Sequence, residues 1–205
     1  MKGIEKSNNP RELPKSRFQV RLGDFENFVD YLNSFERAVE ILYARVSNAE
    51  ETPYSMALPL LFLMRHSLEL GYKYTLAELH YFNEIPYKLD KYKHSLQDLH
   101  SALKEQFNEF VKKWSISRED IEDFERHYCH TGNCMKEFSQ IDPNCIAFRY
   151  PTQRDGTRVF PHDYAVNLLE LKESYDDGMV LLCHLIDTLQ PCYEMMEEFH
   201  ENVDW

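Results

Sequence analysis

The sequence predicts an all-α protein: an antiparallel bundle of four to five helices with a long irregular loop or hairpin before the last long helix. Three observations predict it. Apolar residues recur at three- and four-residue steps through most of the chain, the period of a helix with one buried face. Most such stretches open on a capping side chain or on a proline suited to a first turn. The composition, 43 % hydrophobic and 14 % aromatic in 205 residues, supplies enough apolar matter for a full core.

Residues 1–22 are polar, contain Pro10 and Pro14, and read as a flexible or loosely docked lead-in to a helical domain over 23–190. Asp24 caps a first helix whose buried stripe is Phe25, Phe28, Val29, Leu32, Phe35, Val39, Leu42 and Val46. Thr52 and Pro53 open a second that runs to about Phe82, with Pro59 kinking it or marking its true first turn. After a polar loop, Ser95 starts a third at capping-box spacing from Asp98, with Leu96, Leu99, Leu103 and Phe107 facing inward. Ser117 caps a short helix ending near Gly132.

Between 131 and 166, Gly132, Pro143, Pro151, Gly156 and Pro161 break the helical period, and "FRYPTQRDGTRVF" reads as a small hairpin or ordered loop about Asp155-Gly156. That is more loop than connection alone requires. From Asn167 the period returns through Leu168, Leu171, Tyr175, Met179, Leu182 and Leu185 to about Leu189. Pro191 interrupts it, and residues 191–205 form an acidic helical tail. No internal repeat is present.

The charge balance restricts function. With 35 acidic against 23 basic residues and net charge -12, the surface as a whole repels phosphate backbones. Nucleic acid can be met only by a local basic patch. No secretion signal opens the chain and no segment offers eighteen uncharged apolar residues, so a soluble, cytoplasmic protein without membrane contact is expected. An odd number of cysteines, five, points to reduced thiols.

"RHYCHTGNC" gathers four zinc-ligand types, His127, Cys129, His130 and Cys134, within eight residues. Donors on one helix end rarely close a tetrahedron, and no C-x-x-C pair occurs, so no metal is assigned there. Six glycines and no Gly-rich phosphate loop argue against Walker-type nucleotide hydrolysis and dinucleotide cofactors. No cofactor is expected.

Within the apolar second helix, Arg65, Glu69 and Lys73 lie four residues apart and form one narrow ridge, since each step advances only about 40° around the axis. One reading is an ion-pair network satisfied inside the fold. The other is a site, for which "KHSLQDL" supplies His94 at a helix start and "FRYP" supplies Arg149 flanked by aromatics.

The order of these motifs carries a resemblance. An R-H-x-L-E-L-x-x-K helix (Arg65, His66, Leu68, Glu69, Leu70, Lys73), then K-H-S-L-x-x-L (Lys93 to Leu99 from its last Lys-His), then F-R-Y-P (Phe148 to Pro151) before a long helix, resembles the HEPN-domain family. This is the helical "higher eukaryotes and prokaryotes nucleotide-binding" fold. The resemblance spans roughly residues 24–190. It implies a homodimeric bundle of the kind found in toxin–antitoxin pairs, antiphage systems and RNA processing, with an antitoxin or nucleotidyltransferase as partner protein.

Active members of that family are metal-independent endoribonucleases with an Arg, four to six residues, then a His. That spacing is absent here: Arg126 to His130 and Arg158 to His162 have three residues between, and Arg154 to His162 has seven. Metal-free RNA cleavage still needs only a base near neutral pKa and a cation for the phosphate. His94 with Arg65 and Arg149 supplies such a set, and His162 with Arg158 is another.

Binding without cleavage would use Arg65, Glu69, Lys73, Lys91, Lys93 and Arg149 around a phosphate, with Tyr72, Tyr92 and Tyr150 to stack on a base or simply to fill the core. A different class of function also fits. The ridge would then be structural, and the acidic tail "EMMEEFHENVDW" would contact a partner in a non-catalytic interaction module.

Overall fold

Side chains that accept a backbone N–H start four long helices: Asn27 ahead of α1 (Phe28–Ser47), Thr52 ahead of α2 (Pro53–Phe82), Ser95 ahead of α3 (Leu96–Lys113) and Ser117 ahead of α4 (Arg118–Ile141). At α5 (Leu168–Val203), Asn167 accepts from the Leu169 N–H at 3.0 Å. The computed structural model describes residues 19–88, 92–143 and 145–203, with side chains as far as residue 195. Most of the expected lead-in, Lys91, and the side chains of the tail beyond 195 lie outside the described residues. Among the described residues the protein is all-helical, with no sheet and no helix long and apolar enough to cross a membrane.

Three expected boundaries move, each for a local reason. Asn27 displaces Asp24 as the first cap because Asp30 returns its carboxylate to the Asn27 N–H while Asn27 accepts from Asp30 N at 3.0 Å, a complete capping box. Asp24 instead closes a one-turn 3-10 segment, Leu22–Asp24. Gly132 does not end α4, which continues to Ile141; a Cβ there would lie 2.8 Å from His100 Nε2. The glycine permits close approach of α3. Pro191 and Pro59 both lie on exposed turns inside continuous helices, where water can satisfy the carbonyl that each proline strips of its donor.

Contacts give the directions. Phe28, Phe35 and Val46 lie beside Ala77, His66 and Pro53, His100 and Phe107 stack on Tyr128 and Phe124, and Thr131 and Cys134 bond Gly178 and Ser174, so α1–α2, α3–α4 and α4–α5 are antiparallel. Helices α2 and α3 run parallel, since Arg65, Tyr72 and Phe82 meet His94, His100 and Phe110 in rising order. The polar connection after Phe82 is long enough to return along the bundle, whereas a short turn would have forced reversal. α2 is central and packs on α1, α3 and α5. Its Leu60, Met64, Leu68, Tyr72 and Leu76 are fully buried in one core cluster.

The described residues between Asp142 and Asn167 are irregular. Thr152 and Arg158 make an isolated antiparallel bridge, and Gly156, at φ 84°, turns the chain after Asp155 as the Asp-Gly pair suggested.

The α4–α5 seam depends on Gly178. A Cβ at that position would lie 2.6 Å from Cys134 Cβ, and Thr131 Oγ1 donates to the Gly178 carbonyl at 2.8 Å. Because Cys134 Cβ cannot rotate away, Gly178→Ala forces the helices apart and should cost about 1–3 kcal/mol. A fall of several degrees in Tm is the expected result; an unchanged Tm would show that this contact does not set the helix separation.

Candidate functional site

The α2 ridge runs from the interior to the surface. The Arg65 and Glu69 side chains are 1 % and 2 % exposed, Lys73 is 12 % exposed, and the His94 ring beside them is 68 % exposed. A stripe at i, i+4 and i+8 therefore presents its last member to solvent and keeps its first two inside.

Arg65 ties together three segments far apart in sequence. Nε donates to the Asp142 carbonyl at 3.1 Å, Nη2 donates to the His94 carbonyl at 3.0 Å, and Nη1 reaches Glu69 Oε2 at 3.5 Å. The Asp142 carboxylate lies 3.8 Å from Nε and accepts the N–H groups of Ile146 and Ala147 at 2.7 and 2.9 Å. Thus one planar guanidinium fixes the end of α4, the approach to α3 and the first turn of the irregular segment.

On its other oxygen, Glu69 Oε1 accepts from Lys73 Nζ at 2.6 Å and faces His94 Nδ1 at 2.8 Å. Burial alone would push this carboxyl up, but the hydrogen bonds and charges of Lys73 and His94 hold it below the usual carboxylate range. An ionised carboxylate only accepts, so His94 Nδ1 is the donor of this pair, on a ring that is largely exposed.

The remaining expected residues divide between surface and core. Lys93 is exposed, and its φ of 47° turns the chain into α3. Arg149 is exposed; its guanidinium donates to the Cys145 carbonyl, from Nε at 2.8 Å, and lies 5.6 Å over the Tyr150 ring, which is itself exposed. Tyr72 and Tyr92 are buried, so of the three expected stacking rings only Tyr150 reaches solvent. His66 turns away from the ridge and packs on Phe35 and Phe62. Arg158 and His162 are in contact, Nη1 to Nδ1 at 3.3 Å.

Cys134 is buried in the α4–α5 seam while Cys129 is exposed, so the Cys-His run does not converge. Among the described residues no group of three or more His, Cys, Asp or Glu is placed to hold a metal ion. None of the five cysteines is in a disulfide. Asp142 and the backbone carbonyls of His94 and Cys145 were missed by sequence reasoning. Carbonyl acceptors leave no mark in a sequence, and an aspartate before a proline is no more than a helix-end signal.

A half-buried histidine gives the fold an acid-sensitive joint. His100 bonds the Tyr72 hydroxyl at 3.0 Å, and its ring stacks 3.9 Å from that of Tyr128. Burial, aided by Lys136, pushes its pKa down to about 4. The unfolded chain takes up this proton below pH 6.5 and the folded chain does not, so stability is constant above 6.5 and declines towards 4. The ring is partly exposed, and screening reduces the effect to about 1–2 kcal/mol. His66, also lowered by burial, adds to the same slope, whereas Glu69 loses its contribution only below the ordinary carboxylate range. Urea midpoints at pH 7.5 and 5 should differ in wild type and differ by less in His100→Gln, where only the His66 contribution remains; an equal difference in both would remove His100 as a cause.

No protein-family model matches the chain, and searches of curated proteins and of solved structures find no significant similarity.

Proposed function

We propose that this chain is a HEPN-like RNA- or nucleotide-binding protein, acting as a homodimer and as a divergent metal-independent endoribonuclease in a toxin–antitoxin or antiphage setting. The order of the Arg65–Lys73, Lys93–Leu99 and Phe148–Pro151 motifs supports the family. The observation that carries the chemistry is the Glu69–His94 pair: a buried, ionised carboxylate 2.8 Å from the Nδ1 of a largely exposed imidazole.

Such a carboxylate fixes the tautomer and stabilises the imidazolium that forms when Nε2 takes a proton. On RNA the proton is that of a 2′-hydroxyl. Its oxygen attacks the adjacent phosphorus as the P–O5′ bond breaks, the 5′ oxygen takes a proton from water, the imidazolium returns its own to solvent, and the products are a 2′,3′-cyclic phosphate and a 5′-hydroxyl. The exposed cations Lys93 and Arg149 are suited to the phosphate charge, with Tyr150 beside a base. In this reading Arg65 acts through the backbone it holds.

The burial of Arg65 favours a second reading, a non-catalytic interaction module in which the whole ridge is structural. A quenched-RNA cleavage assay with and without EDTA, beside His94→Ala and Arg149→Ala, separates the two. Cleavage that survives EDTA and is lost in the variants supports the ribonuclease; no cleavage by any sample supports the module.

A further inference from the structure

We propose that the open bowl beside the N-terminal end of α2 is a mononucleotide subsite, in which Arg149 and Arg158 hold a phosphate and Tyr54 stacks on the base. The bowl has a volume of about 610 Å³ and is lined by Tyr54 and Leu58 from α2 and by Phe148, Arg149, Tyr150 and Arg158 from the irregular segment. That size suits a small ligand rather than a protein surface.

Its lining is basic in a chain that is acidic as a whole. In a chain of net charge -12, residues 145–166 carry three arginines against two aspartates, and no acidic residue lines the bowl. The roomier groove between α1 and α2, about 740 Å³, is lined by Glu26 and Glu78, which repel phosphate. Arg149 spends its Nε and Nη2 on the Cys145 carbonyl, leaving the rest of its N–H fork to point elsewhere. Arg158 donates to His162 Nδ1 through Nη1 and keeps its other donors.

Tyr54 is 96 % exposed in the first turn of a 30-residue helix, held there by the Thr52 cap and Pro53. A tyrosine that buries nothing within its own chain offers both ring faces, whereas the Arg149 guanidinium lies over one face of Tyr150. Paired guanidinium forks with an open aromatic face match a nucleoside monophosphate, alone or as one unit of a strand. Asp142 couples this bowl to the ridge: Arg65 holds its carbonyl, and its carboxylate caps the turn that leads to Arg149.

The identity of the ligand rests on the nucleic-acid reading above; the bowl does not require cleavage at His94. Calorimetric titration of the full chain with adenosine 5′-monophosphate, adenosine, inorganic phosphate and a short unstructured RNA tests both. The proposal expects the monophosphate to bind more tightly than adenosine or phosphate. Arg158→Ala and Tyr54→Ala should each weaken it at least about tenfold, and His94→Ala should not. Both substituted side chains are exposed, so the fold survives. No binding of the monophosphate, binding that ignores both substitutions, or phosphate binding as tight as the monophosphate would each overturn the proposal. RNA binding without any effect of Arg158 or Tyr54 would remove the bowl and leave the RNA reading standing. Monophosphate binding at the bowl with RNA refused would do the reverse.

Discussion

Arg65→Ala is expected to lower stability by about 3–5 kcal/mol, the largest loss that any single substitution in the ridge should produce. The side chain is 1 % exposed and donates to two backbone carbonyls from separate segments while facing two carboxylates. Removing it strands the Asp142 and His94 carbonyls and leaves Glu69 with Lys73 and His94 as its remaining hydrogen-bond partners. Each buried acceptor left without a donor costs about 1–3 kcal/mol. Arg65→Lys should recover little, because an ammonium cannot present the planar fork that spans α3 and α4. Urea unfolding followed by circular dichroism measures the loss directly. A change below about 1 kcal/mol would mean that water replaces the guanidinium and that the ridge is open, contrary to its burial.

The same residue shows what a sequence can and cannot disclose. Its spacing from Glu69 and Lys73 marks a ridge, because four-residue steps keep side chains in line on a helix. Which way the ridge faces was not legible, since apolar residues cover most of the remaining circumference of α2 and no single face is marked for solvent. Depth follows instead from what packs on α2: the end of α4 and the turn before α3 close over Arg65 through the Asp142 and His94 carbonyls and leave the His94 ring largely exposed. Three capping residues, Thr52, Ser95 and Ser117, are placed as their local chemistry dictates, because capping needs only near neighbours. Gly132 misled for the opposite reason: a glycine that ends a helix and one that admits a neighbouring ring look alike until the neighbour is known. The parallel α2–α3 pair has the same origin: the end of α2 lies beside the end of α3, and nothing local in the sequence marks that the connection returns along the bundle.

His94→Ala is expected to leave the fold intact and to reduce RNA cleavage by about 10²–10⁴-fold, the usual contribution of a positioned base. The two halves of this expectation come from the same geometry. With 68 % of its side chain exposed, the ring contributes little packing, and Glu69 keeps Lys73 at 2.6 Å when the imidazole is gone. Tm should therefore hold while rate falls, the opposite of Arg65→Ala. A positioning role for the ring would also lower the rate, so the deciding readout is rescue. Imidazole added to the His94→Ala protein can enter the exposed space and take the 2′-hydroxyl proton, restoring part of the rate in proportion to its concentration, which a missing structural ring would not allow. Glu69→Gln complements this, because a neutral amide cannot stabilise an imidazolium; it should slow cleavage by wild-type His94 while leaving imidazole rescue of the double variant unaffected by tautomer. Wild-type protein that binds RNA without cutting it, or His94→Ala that cuts as fast, would assign the Glu69–His94 pair to anchoring the start of α3 against α2 and leave binding as the function of this face.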